Sequence, residues 1–233
     1  VITKADAQSA GTYVESGSRD AGTRYLMLPL RVAASVKADN GVGGTATTSY
    51  QYWDLRASAT QRGPQGFKKV VMTEPTGMVT TTTYSQVYPY TGMPTAVIRE
   101  QKVMVAETEN QYCDKTAPGG DWTKCTEQKV LVAKTETQYC DSLTAAGDAT
   151  KCTPATGAGA GTNTRGVFVH PLKVVDTSYL RGSNMPVPGT DDETITTTTQ
   201  YAFDTSGNPT TTTVTTESGG AGEKYEKKIS NEE

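Results

Sequence analysis

The stretch TTTTQYAFDTSGNPTTTT, from Thr196 to Thr213, restricts the possible folds more than any other part of the chain. β-Branched threonine is stiff at its first side-chain torsion and sits well on a pleated surface, so two runs of it around Tyr201 and Phe203 favour strands. Asp204-Thr205-Ser206-Gly207-Asn208-Pro209 supplies the turn between them, with Asp accepting backbone N–H groups and Gly adopting positive φ. Strands whose side chains are so small and polar bury little on either face. They belong in a broad, thin sheet with a half-exposed surface.

The remainder of the chain repeats this pattern. Thr80 to Tyr84, Val97 to Val105 and Thr210 to Thr216 all alternate as strands, and no helical periodicity of useful length is present. Turn signals recur at Asp39-Asn40-Gly41, Pro75-Thr76-Gly77, Gly119-Gly120-Asp121 and Ser206-Gly207-Asn208. Strands joined by short turns predict an all-β fold of antiparallel hairpins in series. Hydrophobic residues make up 35% of the 233, below the share a compact globular domain uses, which argues against one thick core. Net charge is −3 with 20% charged residues, so no basic patch suited to nucleic acid is expected. No apolar run is long enough for a membrane-spanning helix. The chain begins Val1-Ile2-Thr3-Lys4 and ends in the charged stretch EKYEKKISNEE, and it reads as a fragment of a longer protein.

An internal duplication is visible. Val103 to Thr126 aligns without gaps on Val130 to Thr153, with 15 of 24 positions identical at a spacing of 27 residues. A shorter signature, Gln-Tyr followed closely by Asp, occurs at Gln51-Tyr52-Trp53-Asp54, Gln111-Tyr112-Cys113-Asp114, Gln138-Tyr139-Cys140-Asp141 and Gln200-Tyr201-Ala202-Phe203-Asp204. Each reads as a strand whose end is marked by Asp, the carboxylate accepting an N–H two residues on.

The duplication copies a cysteine pair as a unit, which favours bridges Cys113–Cys125 and Cys140–Cys152, each across its own hairpin. Four reduced thiols and a shared four-cysteine zinc site are the alternatives, the latter without the close Cys-x-x-Cys spacing of zinc knuckles. Disulfides imply an oxidising compartment. His170, the single histidine, lies in an alternating strand interrupted by Pro171, which marks an edge or a bend and favours a structural role. Asp191-Asp192-Glu193 lacks the spaced pattern of a calcium loop, and the glycines of Gly157 to Gly166 come without a Gly-Lys-Ser/Thr phosphate cradle. Tyr and Trp fall at strand ends rather than in a base-stacking stripe. No catalytic, cofactor-binding or metal-ligating set is assigned.

QYAFDTSGNPTTTT resembles the YD repeat of Rhs proteins, through Tyr201, Asp204, Gly207 and Asn208. Tyr50 to Pro94 is similar to the segment that opens the Rhs shell in Tc-toxin B components and related bacterial polymorphic toxins. The matching residues are Tyr50, Tyr52, Arg62, Gly63, Gly66, Phe67, Thr76, Gly77, Tyr84, Gln86, Pro89 and Gly92, with Gln61 in place of the first motif glycine. The resemblance implies three parts of one continuous sheet: residues 1–99 opening the shell, 100–160 carrying the duplicated cysteine hairpins, and 161–233 a YD-repeat segment. It implies a secreted or cell-surface bacterial protein that is a non-enzymatic virulence component, without cofactors, whose strip of strands encloses a C-terminal toxic domain. Expected partners are the rest of its own chain, other toxin-complex subunits or a cell-surface receptor. A surface adhesin that binds a receptor or glycan is the alternative.

Overall fold

The computed structural model describes residues 2–3, 8, 10–16, 23–26, 31–59, 63–106, 125–141, 169–180, 193–203, 209–218 and 224–230. Strands dominate these residues, as the alternation predicts. The first eight in chain order are β1 (Ile2–Thr3), β2 (Tyr13–Val14), β3 (Thr23–Tyr25), β4 (Arg31–Val32), β5 (Ser35–Asp39), β6 (Thr45–Trp53), β7 (Arg56–Ser58) and β8 (Pro64–Gly66). They are followed by β9 (Lys69–Thr73), β10 (Met78–Tyr84), β11 (Pro94–Ala106), β12 (Cys125–Asp141), β13 (Val169–Leu180), β14 (Glu193–Phe203), β15 (Pro209–Ser218) and β16 (Lys224–Ser230).

From β9 to β16 each strand pairs antiparallel with the next, so this half of the molecule is a single uninterrupted meander. β6 pairs antiparallel with β9 and carries two partners along its other edge, β5 against its first half and β2 against its last residues. The β2–β6 pairing is parallel, a departure from hairpins in series: Tyr13 faces Tyr52 and Val14 faces Trp53. Two small sheets, β1–β4 and β3–β7–β8, complete the described strands.

The local turns follow their residues. At the β5–β6 hairpin the Asp39 carboxylate accepts the Gly41 N–H at 2.7 Å, the two-residues-on bond expected of an Asp turn. Between β9 and β10, Gly77 takes φ 85° and donates its N–H to the Glu74 carbonyl at 3.0 Å. A Cβ there would also stand 3.0 Å from Gln101 Nε2, so glycine is required on two counts.

Register is continuous across the large sheet. Tyr52, Val70, Thr82, Val97, Thr135, Asp176, Thr197, Thr216 and Tyr225 are directly opposed in sequence from β6 to β16 and form one row on one face. Hydroxyls join neighbours along it: Thr135 Oγ1 donates to Asp176 Oδ1 at 2.6 Å, and the Thr197 and Thr216 hydroxyls lie 3.3 Å apart. The Lys–Glu ion pairs lie on the opposite face. There Lys102 pairs with Glu127 at 2.8 Å, Lys129 with Glu100 at 3.7 Å and Lys134 with Glu136 at 2.8 Å. Pairs this exposed add little stability each.

The buried apolar cluster lies at one end, around Tyr13 and Leu55 with Leu26, Val32, Tyr52 and Phe67 packed against them. In the meander only Val79 and Cys140 are buried hydrophobics among the described residues. Among the described residues no second layer of strands packs on it. The cluster and the strip therefore respond differently to mutation. Phe67→Ala is expected to cost about 3 kcal/mol in urea unfolding, whereas single Thr→Ser changes at Thr197 or Thr216 are expected to cost under about 1 kcal/mol. Circular dichroism should report strand and essentially no helix.

Candidate functional site

Polar chemistry is most concentrated beside the apolar cluster, where the chain leaves β6. Asp54 is 3% exposed and has φ 52°, a left-handed conformation that Asp tolerates better than most residues. Its Oδ1 accepts the Ser16 N–H at 2.8 Å and the Tyr25 hydroxyl at 3.1 Å, and Oδ2 accepts the Ser16 hydroxyl at 2.8 Å. The Asp54 N–H donates to the Val14 carbonyl at 3.0 Å. Asp54 directly follows the last residue of β6, the strand-end position read from the sequence, and its carboxylate binds a segment 38 residues upstream.

Arg56, 1% exposed, lies beside it with its guanidinium carbon 5.5 Å from the centre of the Tyr25 ring. Burial alone would raise the Asp54 carboxyl. The Ser16 and Tyr25 hydrogen bonds and the Arg56 charge outweigh it and hold the carboxyl below its ordinary value. Tyr13 is pushed the other way, chiefly by burial; its oxygen accepts the Leu55 N–H at 3.1 Å and donates to Glu15 at 3.2 Å.

Gln86 ties this knot to the turn that follows β8. Its Nε2 donates to the Asp54 carbonyl at 2.7 Å and to the Gly66 carbonyl at 2.8 Å, while its own carbonyl accepts Gln65 Nε2 at 2.6 Å. Gly66 has φ 78°, which presents that carbonyl to Gln86. Both carboxamide nitrogens face carbonyls, so the amide orientations are fixed. Gln65 Oε1 and Gln86 Oε1 are buried without a hydrogen-bond partner.

Of the residues carrying the family resemblance, the structure gathers Tyr52, Gly66, Phe67 and Gln86 here. Tyr52 donates to the Ala33 carbonyl at 3.0 Å, and its ring centre is 4.8 Å from that of Phe67. Tyr13 meets Phe67 edge-on at 6.3 Å. Gly63 is adjacent, its carbonyl accepting the Ser58 N–H at 3.0 Å. Tyr50 lies on the Tyr52 face of β6, opposite Met72, and Gly77 belongs to the β9–β10 turn. The Tyr84 N–H, at the end of β10, donates to the Lys68 carbonyl at 2.8 Å. Pro89 and Gly92 belong to the β10–β11 turn, where Gly92 donates to Ser85 at 2.8 Å. Tyr201 is on β14, its ring 6.2 Å from Phe203. Arg62, Gln61, Asp204, Gly207, Asn208, Cys113 and Cys152 lie outside the described residues, as do the glycine loops near Gly119 and Gly157.

The knot's other members escaped the sequence reading. Ser16, Tyr25, Leu55 and Arg56 form no local motif; an Arg two residues after an Asp at a strand end was the available signal.

His170 stacks on Phe203, with ring centres 3.8 Å apart, and is directly opposite Cys140. Pro171 lies on the interior strand β13, not at a sheet edge, beside the register shift against β12 that marks a bend. Cys140 is 6% exposed. Cys125 begins the same 17-residue strand that Cys140 nearly ends. They are separated by on the order of 50 Å, far beyond bridging distance, so the two are not joined to each other.

No family model and no curated protein match the chain. Among solved structures it is similar to one titled "Crystal Structure of TcdB2-TccC3", with 11% identity, a TM-score of 0.30, and coverage of 92% of this chain. The chain spans 14% of that chain's length.

Asp54 gives the site a pH signature. Because its folded-state value is lowered, its stabilisation is present above the unfolded carboxyl value of about 4 and is lost as pH falls through the folded value. Asp54→Asn keeps a side chain that tolerates the left-handed turn but removes the charge. It is expected to lose about 2 kcal/mol at neutral pH. It should also flatten the acid limb of stability measured by urea unfolding from neutral to low pH.

Proposed function

We propose that the chain is a structural, non-enzymatic segment of a secreted bacterial Rhs/YD-repeat toxin, a strip of the β-shell that encloses a C-terminal toxic domain. The observation that carries this reading is the uninterrupted antiparallel meander from β9 to β16, one layer thick and poor in buried aliphatics among its described residues. A sheet of this kind suits a wall better than a globular core. In the proposed assembly the charged face meets solvent and the Thr/Val/Tyr face meets the enclosed space. The partners are the rest of the same chain, whose strands would continue past β16 and β5, and other subunits of the toxin complex or a cell-surface receptor.

The cysteines belong to the same reading, since bridges at the strand ends suit a protein exported to an oxidising compartment. Cys113 follows Ala106, which is opposite Cys125 and so at the strand end remote from Cys140. Even fully extended, the linking segment reaches only about 25 Å. This distance supports pairing Cys140 with Cys152 in the proposed protein, and by the duplication Cys113 with Cys125. Each closed loop would add roughly 3 kcal/mol if unstrained. Peptide mapping without reductant is expected to find Cys113–Cys125 and Cys140–Cys152; a bridge between the repeats would overturn this assignment.

The function itself is tested on the full-length protein by electron cryo-microscopy. The expected result is this sheet in the wall of a hollow shell with a protease-protected C-terminal domain inside. A sheet standing free on a stalk, with nothing enclosed, would overturn the reading.

A further inference from the structure

On the charged face, lysines in the middle of the sheet have partners: Lys102, Lys129 and Lys134 pair with glutamates, and Lys69 stands 3.9 Å from the centre of the Trp53 ring. Lys173 is different. It forms no ion pair or side-chain hydrogen bond among the described residues, and it faces an open depression of about 330 Å³.

The depression has a structural cause. Gln138, Lys173, Gln200 and Thr213 are directly opposed across β12, β13, β14 and β15, so they form one row on that face. Ala202 opposes Thr211 in the next row, and its short side chain lowers the surface. Register shifts flank the spot on both sides, between Gln138 and Tyr139 and between Ala202 and Phe203. Such bulges bend a strand and re-aim its side chains. Besides Leu172, Tyr201 and Ala202, the lining offers two carboxamides, two threonine hydroxyls and one ammonium, and no carboxylate.

We infer that this depression is a binding site for an acidic saccharide unit, a hexuronic or sialic acid. The uncompensated ammonium selects an anion. An exposed charge pair alone is worth only about 0–1 kcal/mol, so a bound ligand must also use the amides and hydroxyls, which present donors and acceptors together. A polyol ring carrying a carboxylate satisfies both, with Ala202 and Leu172 against its C–H face. The volume falls near the lower end of small-ligand pockets.

The test is titration of the protein with glucuronic acid and with N-acetylneuraminic acid, followed by NMR, with glucose and acetate as controls. At least one acid sugar should bind saturably and at least about tenfold more tightly than either control, weakening as salt rises. Lys173→Gln should reduce that affinity about tenfold, and Thr213→Ala should reduce it measurably. Lys134→Gln, on the same face but paired with Glu136, should leave it unchanged. All three positions tolerate polar side chains, and circular dichroism verifies that each variant is folded. No saturable binding of either acid sugar, equal binding of acetate, or affinity indifferent to Lys173→Gln would overturn the site.

Discussion

Nearly everything in this molecule rests on backbone pairing between consecutive strands. In most sheets the ladder is backed by a second layer, and the packed layer supplies most of the stabilisation. Here the strands from β9 onward have little such backing among the described residues, and the ladder's register must be held by the strands themselves. A slip of one residue would exchange the two faces. The two faces differ enough to penalise that exchange: a slip would scatter the cross-strand Lys102–Glu127 and Lys129–Glu100 pairs and carry Tyr52 away from Phe67. Facial asymmetry does for this sheet part of what core packing does for a sandwich.

The Asp54 knot supplies a different kind of order. β2 contributes only two residues to its pairing with β6, too few to hold by ladder bonds alone. Asp54 compensates by binding Ser16 through both backbone and hydroxyl and Tyr25 through its phenol. Bonds to a charged acceptor are about twice as strong as neutral ones, and Arg56 makes the buried charge tolerable. Gln86 extends the same network to Gly66, so the turn after β8 and the exit from β6 are fixed relative to each other.

The strands were legible in the sequence because threonine runs and period-two alternation are local signals. Thr80 to Tyr84, Val97 to Val105 and Thr210 to Thr216 fall within β10, β11 and β15. The turns at Asp39 and Gly77 were legible for the same reason. The knot was not. Ser16 reaches Asp54 just beyond the parallel β2–β6 pairing, and Tyr25 and Arg56 come to it on the antiparallel β3–β7 pair, long-range pairings that no alternation pattern announces. Face asymmetry was also hidden, since an extra residue at Val132 shifts the phase of alternation along β12 and another at Leu172 shifts it along β13.

Threonine reconciles these demands. A valine in its place would keep the strand but expose an apolar surface on a one-layer sheet, inviting association through the face. A serine would hydrate equally well and lose strand preference. Threonine keeps the branched carbon against its cross-strand neighbour and presents a hydroxyl that can bond along the row, as Thr135 does to Asp176. The edges need a separate device, because β5 and β16 leave backbone groups unpaired among the described residues. Lys37 on β5 and Lys227 on β16 place charge along them, the usual guard against indiscriminate strand addition. A lysine-bearing edge still accepts a partner strand whose own charges complement it.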